Sequence, residues 1–505
     1  MMVGAAMQMA DGLKEQLQSL TEGVAFLWPE ITLVVGLLLV LLFDLIFQNR
    51  KEVGIAAISI SVLSFLLVAQ CLSFVPNLEA KDLFVGLITV SSGANLFKVG
   101  FTLTALVALI MAAQSKKYAQ QYFSSSEWLV SLFALLLGAF LMTASSNLLM
   151  IYVSIEVVSI SSYLLTGLGK GLKKSEAALK YLLYGAAASA VMLYGMSWLY
   201  GLTGSLDINT DTFIVGMNAA QPFTLNIAIF MVLAGVLFKL GAFPLHIWSP
   251  DVYESAPMPT VTVFSIVPKL AAVFVLFRLI SSTETTDFNW QQWLGILAIG
   301  GMTIGNFSAL WQRNAKRMLA YSSIAHAAFM LSGVLLFNRA GIEATVFYAF
   351  IYLIMNLAAF YLIQVFENTT GSVNFDSFRG LGKTMPYTAI LLLVVMISLT
   401  GLPPVAGFNA KLFLFSAVYE GYVSTGDQII LWVFIFGLLN TVVSLFYYIR
   451  IPYLLFFKTG DQIITKQEGF RWHMAWGTFL VLPLFLLFFR SDWFVDLLNS
   501  INFVF

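Results

Sequence analysis

The chain has 505 residues, of which 59% are hydrophobic and only 10% charged, with 26 Lys and Arg balancing 26 Asp and Glu. Soluble domains carry about 25% charged residues, so this composition excludes a water-soluble globular protein and marks a polytopic membrane protein. Zero net charge leaves no basic field for nucleic acid. The single cysteine, Cys71, excludes a disulfide framework and any zinc or iron–sulfur site built from several thiolates.

A helix needs about 20 mostly apolar residues to cross the hydrocarbon core. In chain order that length predicts an all-α protein of fourteen spans: 24–47, 53–75, 96–113, 128–144, 148–168, 177–200, 225–244, 258–280, 293–311, 318–337, 344–366, 386–419 (long and interrupted), 428–449 and 474–489. Loops reach about twenty residues, as in 202–223, which leaves no room for a soluble domain. The first 23 residues lack a basic segment followed by a small-residue cleavage site and are expected to form a short interfacial amphipathic helix. Odd-numbered loops hold sixteen Lys and Arg, including Lys170, Lys173, Lys174, Arg313, Lys316 and Arg317. Even-numbered loops and their borders hold four: Lys81, Lys98, Arg278 and Arg339. Positive charge is retained inside, so the odd loops are expected on the cytoplasmic side and both termini outside. Glu30 and Asp44, near the ends of the first span, read as interfacial.

Four lysines remain within predicted spans: Lys180, Lys239, Lys269 and Lys411. A lysine near a helix centre costs roughly 2.5–3.5 kcal/mol on insertion scales, so intramembrane ionisable residues are functional candidates by default. Three of these lysines have proline nearby. Lys239 lies in Leu237-Phe-Lys-Leu-Gly-Ala-Phe-Pro244, Pro268 precedes Lys269, and Gly401-Leu-Pro-Pro-Val-Ala-Gly-Phe-Asn-Ala-Lys411 breaks the twelfth span. Freed carbonyls deep in a membrane are tolerated where protein or water satisfies them, and broken helices line ion sites in transporters. Burial disfavours an ammonium and a nearby carboxylate favours it, which makes a proton site that can be switched.

The matching acid is Glu156, amid Ser154, Ser159, Ser161 and Ser162 in the fifth span, with Lys239 as its expected partner. Glu176 and Lys180 are spaced i,i+4 with the acid first; snorkelling at a helix start explains them as well as function does. His326 lies mid-span, and His246 follows the seventh-span break. Both imidazoles could relay protons, with a hydrogen-bonded core histidine as the plainer alternative. Gly301 and Gly305 fit a small-residue helix contact.

The seventh and twelfth spans echo one another. Each carries a lysine near a proline-glycine break, and each segment ends in Tyr-Glu, at Asp251-Val-Tyr-Glu254 and Ala417-Val-Tyr-Glu420. A separation of five spans places the two units in opposite orientation, the arrangement of inverted repeats. The single membrane domain then divides into helices 1–3 (24–113), a first repeat of helices 4–8 (128–280), a second of helices 9–13 (293–449), and helix 14 (474–489).

At these residues the chain resembles the antiporter-like membrane subunits of respiratory complex I. The resemblance covers nearly the whole chain. It is most specific at Phe238-Lys-Leu-Gly-Ala-Phe-Pro-Leu-His-Ile-Trp-Ser-Pro-Asp-Val-Tyr-Glu-Ser-Ala-Pro257, Ala320-Tyr-Ser-Ser-Ile-Ala-His326 and Leu399-Thr-Gly-Leu-Pro-Pro-Val-Ala-Gly-Phe-Asn-Ala-Lys-Leu-Phe413. It implies two inverted five-helix repeats, each with one broken helix. Glu156 would match the family acid on helix five, Lys239 its partner on helix seven, Lys269 the central lysine on helix eight and Lys411 the terminal residue on helix twelve. Glu176 and Lys180 would match a secondary pair. The M branch has a glutamate where Lys411 stands and the L branch is longer, so the N branch fits best; Asn409, where glycine is common, is a departure.

The implied role is proton translocation in an NADH:quinone oxidoreductase of a bacterial inner membrane. No cofactor is expected in this chain; NADH, FMN, iron–sulfur clusters and quinone would belong to partner subunits. The implied partners are the other membrane-arm subunits, including K and M, and lipids. A subunit of a cation/proton antiporter or membrane-bound hydrogenase, or a stand-alone secondary transporter, is the alternative.

Overall fold

The computed structural model describes residues 21, 23–47, 51–123, 126–168, 171–284, 286–460 and 470–503. The expected amphipathic helix at the N-terminus lies largely outside them, as do Arg50, Lys170 and Lys466 of the odd-loop tally.

The chain is a helical bundle. It begins with α1 (Trp28–Ile46), α2 (Lys51–Leu72), α3 (Ser92–Gln114), the short α4 (Lys116–Tyr122), α5 (Glu127–Ala144), α6 (Leu148–Gly167) and α7 (Leu172–Thr203). A connecting helix, α8 (Asp211–Ala219), leads to α9 (Pro222–Leu240), α10 (Trp248–Ser255) and α11 (Met258–Thr283). Next come α12 (Trp290–Leu310), α13 (Ala315–Val334), α14 (Arg339–Thr370) and the single turn α15 (Leu381–Thr384). The last helices are α16 (Pro386–Thr400), α17 (Ala406–Thr425), α18 (Gln428–Phe457), α19 (Phe470–Phe489) and α20 (Asp492–Ser500). Among the described residues, twelve helices are long and apolar enough to cross a bilayer. The chain is a multi-pass membrane protein.

The two other sequence-predicted spans are also helical. The span at 318–337 is α13, and 386–419 is the pair α16 and α17. Two features depart from an all-helical reading. A two-stranded antiparallel hairpin, β1 (Lys81–Leu83) with β2 (Ile88–Val90), joins α2 to α3, and α8 occupies nine residues of the loop expected at 202–223. Both lie in polar connections, where apolar run length carries no information about local structure.

Helix ends follow local chemistry. Asn147, Asn314, Asn338 and Asp427 each accept hydrogen bonds from backbone N–H groups of the first turn they precede. Helices α9 and α16 both stop at a left-handed glycine, Gly241 at φ +65° and Gly401 at φ +88°, a conformation that costs an L-residue about 1–2 kcal/mol. The core sits on α11 and α14, whose apolar stretches are almost entirely buried, while α1, α2 and α18 expose most of theirs. Gly301 and Gly305 of α12 press on α13: a Cβ on Gly301 would lie 2.8 Å from Cβ of Ala328, and one on Gly305 2.8 Å from the backbone nitrogen of Ala325. That is the expected small-residue contact.

Three basic residues read as loop or border groups are instead inside the bundle. Lys98 is 1% exposed and its Nζ lies 2.6 Å from Glu30 Oε1, so Glu30 is a buried ion partner and not an interfacial group. Arg278 is equally buried, donating to the carbonyls of Thr89 and Thr143. The Lys316 ammonium donates to the carbonyl of Ala256 at 2.8 Å. Each sits within two turns of a helix end, where a long side chain can turn inward to carbonyls or a carboxylate as readily as outward to water.

Candidate functional site

The site is built on two interrupted helices. In the first, α9 ends at Gly241, whose N–H reaches the carbonyls of Leu237 and Phe238, and the chain turns through 243–247 into α10. The indole N–H of Trp248 donates to the Phe238 carbonyl at 3.1 Å, supplying one of the bonds an interrupted helix lacks. Lys239 sits in the last turn before the break, 1% exposed. Its ammonium has no hydrogen-bond partner among the described residues and stands 5.4 Å above each of the rings of Tyr163 and Tyr181. Both rings are within cation–π range, which offsets part of the cost of burying a charge there.

Glu156 does not touch Lys239. Its carboxylate accepts a short hydrogen bond from the Ser189 hydroxyl of α7, and among the described residues no ion pair joins acid and lysine. The sequence made Lys239 the expected partner of Glu156, but the aromatic rings of Tyr163 and Tyr181 lie beside the ammonium. In this structure the expected pair is therefore open.

Lys269, wholly buried on the central helix α11, reaches back to the first break. Its Nζ lies 3.1 Å from where a Cβ on Gly241 would stand, so glycine at the break gives the ammonium its seat. The same ammonium approaches the Ser323 carbonyl of α13 at 3.4 Å. His326 follows three residues later, 2% exposed, with Nδ1 2.6 Å from the Tyr348 hydroxyl and Nε2 3.0 Å from the Tyr448 hydroxyl. Tyr448 in turn shares a short hydrogen bond with Ser322. Three residues further along α13, the ring of Phe329 lies 5.0 Å from the Lys411 ammonium. His326 thus stands three residues, about 4.5 Å of rise, from each lysine's contact on the helix.

Lys411 begins the second turn of α17, just after the second break. Its ammonium donates to the Thr400 carbonyl at 2.7 Å, capping the C-terminal end of α16, where an orphaned carbonyl and the helix dipole both favour a cation. It also lines a cavity of about 370 Å³ with Gly401, Phe408, Phe415 and Tyr419. The breaks differ in one respect: Gly241 seats a lysine from a neighbouring helix, whereas Gly401 packs against the lysine of its own broken helix.

His246 is in the turn between α9 and α10, with Nδ1 unpartnered among the described residues. Glu176 and Lys180 form the expected pair at 2.8 Å, but Lys180 is 44% exposed at the side chain and also reaches Asp251 at 3.3 Å. Asp251 pairs with Arg317 at 2.7 Å, and Arg317 with Glu254 at 2.9 Å. The secondary pair is thus one edge of a cluster joining α7, α10 and α13. Sequence reasoning missed this cluster, the tyrosines around His326 and Ser189. Asp251 and Glu254 lie within the quoted α10 motif, which was the available signal; the others had none.

Comparison with known proteins places these features in a family. Residues 145–440 match the NADH:quinone oxidoreductase/Mrp antiporter transmembrane family. NADH-quinone oxidoreductase subunit N of Chlorobium chlorochromatii is 36% identical over 464 residues, covering 89% of this chain and 88% of that protein. A chain of respiratory complex I from Thermus thermophilus, solved with bound aureothin, superposes with TM-score 0.78 at 26% identity, covering 94% of this chain and 100% of its own. A chain of an archaeal membrane-bound sulfane sulfur reductase shares the fold at TM-score 0.83 and 23% identity, covering 95% of this chain and 96% of its own. With more than half its length matched by the family model and relatives aligned over most of theirs, the chain belongs to the NADH:quinone oxidoreductase/Mrp antiporter membrane-subunit family.

Proposed function

We propose that this chain is the proton-translocating subunit N of a respiratory NADH:quinone oxidoreductase. The observation that carries the reading is the row of buried ionisable groups between the two breaks: Lys239 at the first, Lys269 seated on Gly241 and against Ser323, His326 with its two tyrosines, and Lys411 at the second. A proton enters from the cytoplasmic side near Lys239, passes Lys269 and His326, and leaves by Lys411 to the outer side. Glu156 acts as the gate. Closing onto Lys239 it holds the ammonium charged; opening, as with Ser189 here, it removes that support and sends the proton onward. At an effective dielectric near 20, a charge contact at about 4 Å is worth about 4 kcal/mol, so small shifts relayed from neighbouring subunits suffice.

The rest of the reading follows from this role. The fourteen spans include two inverted five-helix repeats, spans 4–8 and 9–13, and both termini face outward in a bacterial inner membrane. The subunit works inside a large hetero-oligomer, beside the K and M subunits, whose other chains hold flavin, iron–sulfur clusters and quinone. The test is proton pumping and quinone reductase rate in membranes holding fully assembled complex. Glu156→Gln and Lys239→Ala each slow both activities; wild-type rates in both variants sink the relay and leave a structural set of buried lysines.

A further inference from the structure

Helices α1–α3 stand outside the line of lysines, yet they enclose a charged pair of their own. Glu30, in the first turn of α1, and Lys98, two turns into α3, meet at 2.6 Å with side chains 6% and 1% exposed. Beyond that contact neither the carboxylate nor the ammonium makes a hydrogen bond among the described residues. Gln70 of α2, 6% exposed, accepts from the Thr102 hydroxyl at 2.9 Å but leaves its Nε2 without a partner.

Lys98 and Gln70 both line a cavity of about 320 Å³, walled by Trp28, Phe74, Ser73 and Asn95. At roughly 30 Å³ each it has room for about ten waters, and buried polar atoms without protein partners are where such waters bind. The cavity lies where α1 starts, α2 ends, α3 starts and the β1–β2 hairpin folds over. A purely structural ion pair needs its remaining donors and acceptors satisfied to offset desolvation; this pair leaves them open beside a cavity large enough to hold water.

We propose that Glu30 and Lys98 form a second proton-exchange site, at the outer end of α1–α3 and served by cavity water, a reading that rests on the proton-translocating role proposed above. The ammonium of Lys98 passes a proton across the 2.6 Å contact to Glu30: an N–H bond breaks, an O–H bond forms, and both groups become neutral. The amine lone pair then takes a proton from a hydronium in the cavity, leaving water. The pair has gained one proton, and the reverse sequence releases it.

The test uses membranes holding the complete complex, with pumping normalised to assembled complex on a native gel. The double variant Glu30→Leu/Lys98→Met removes both charges together, so it leaves no unpaired buried ion to prevent assembly. Pumping is expected to fall about tenfold, a conservative share of the roughly 10²–10⁴-fold a positioned acid–base group contributes. Gln70→Met removes the free donor from the cavity wall without touching either charge, and its pumping is expected to fall several-fold; it decides the matter if the double variant does not assemble. Wild-type pumping in the assembled double variant, or in Gln70→Met when it alone assembles, overturns the site and leaves a structural pair. Lys239→Ala in the same membranes separates the two ideas. If it alone loses pumping, only the Glu30–Lys98 site falls; if it too pumps normally, the relay falls first.

Discussion

Substituting Gly401 by alanine should damage proton transfer without removing any charge. A Cβ at this position would stand 2.6 Å from Lys411 Cδ and 3.3 Å from its Cε, against a comfortable carbon–carbon separation of about 3.5–4.0 Å. The lysine stem must therefore retreat by about 1 Å. Its ammonium now donates to Thr400 at 2.7 Å, and such a retreat carries it past the range at which a hydrogen bond survives. A bond to a charged donor is worth about 1.5–3 kcal/mol, so losing it where the proton leaves should slow transfer by roughly 10- to 150-fold. The left-handed backbone adds about 1–2 kcal/mol of strain. Gly426 supplies the control: it has φ +71° at an exposed helix end and nothing within 4 Å of its would-be Cβ, so Gly426→Ala bears the same strain with no lysine to displace. The assay is NADH-driven proton uptake by inside-out vesicles, normalised to assembled complex. Wild-type uptake in Gly401→Ala would refute the claim that Lys411 works from its seat on α16. Equal loss in Gly426→Ala would assign the effect to backbone strain.

Other expectations follow from the same geometry. Lys411→Arg should impair pumping as severely as loss of the lysine, because a guanidinium keeps its proton at any physiological pH; normal pumping in assembled Lys411→Arg complex counts against proton exchange at this position. In a Cys71→Ser background, a cysteine at Lys173 should be shielded from an impermeant thiol reagent in intact cells, and labelling from outside would reverse the proposed orientation. Purified alone, the chain should carry no flavin, haem or iron, and a stoichiometric chromophore in its absorbance spectrum would disprove that.

Much of the architecture was readable because the bilayer imposes a length on every apolar run, and the described helices lie where those runs do. The breaks were readable too, since proline and glycine act locally: the punctuation around Lys239 and Lys411 has its counterpart in the left-handed ends of α9 and α16. What the sequence could not provide was partnership across helices. Nothing in the spacing of Glu156 and Lys239 announces that Tyr163 and Tyr181 surround the lysine while Ser189 binds the acid. Lys98 was assigned to a loop border because apolar windows count a residue near a helix end as solvated, whereas its side chain turns inward to Glu30. Tyr348 and Tyr448 were lost among 19 tyrosines, distinguished only by the imidazole between them.

Helix α13 behaves as a connecting rod. Its hydrogen-bonded backbone resists changes in length, so residues along one uninterrupted stretch translate and rotate together, whereas α9 and α16 are interrupted at Gly241 and Gly401. One end of the rod is bolted by Arg317 to the acids of α10. About 9 Å along, by the 1.5 Å rise per residue, Ser323 touches Lys269, and about 9 Å further Phe329 touches Lys411. A push on the Arg317 anchorage would therefore reach both lysine contacts together, with the imidazole of His326 between them.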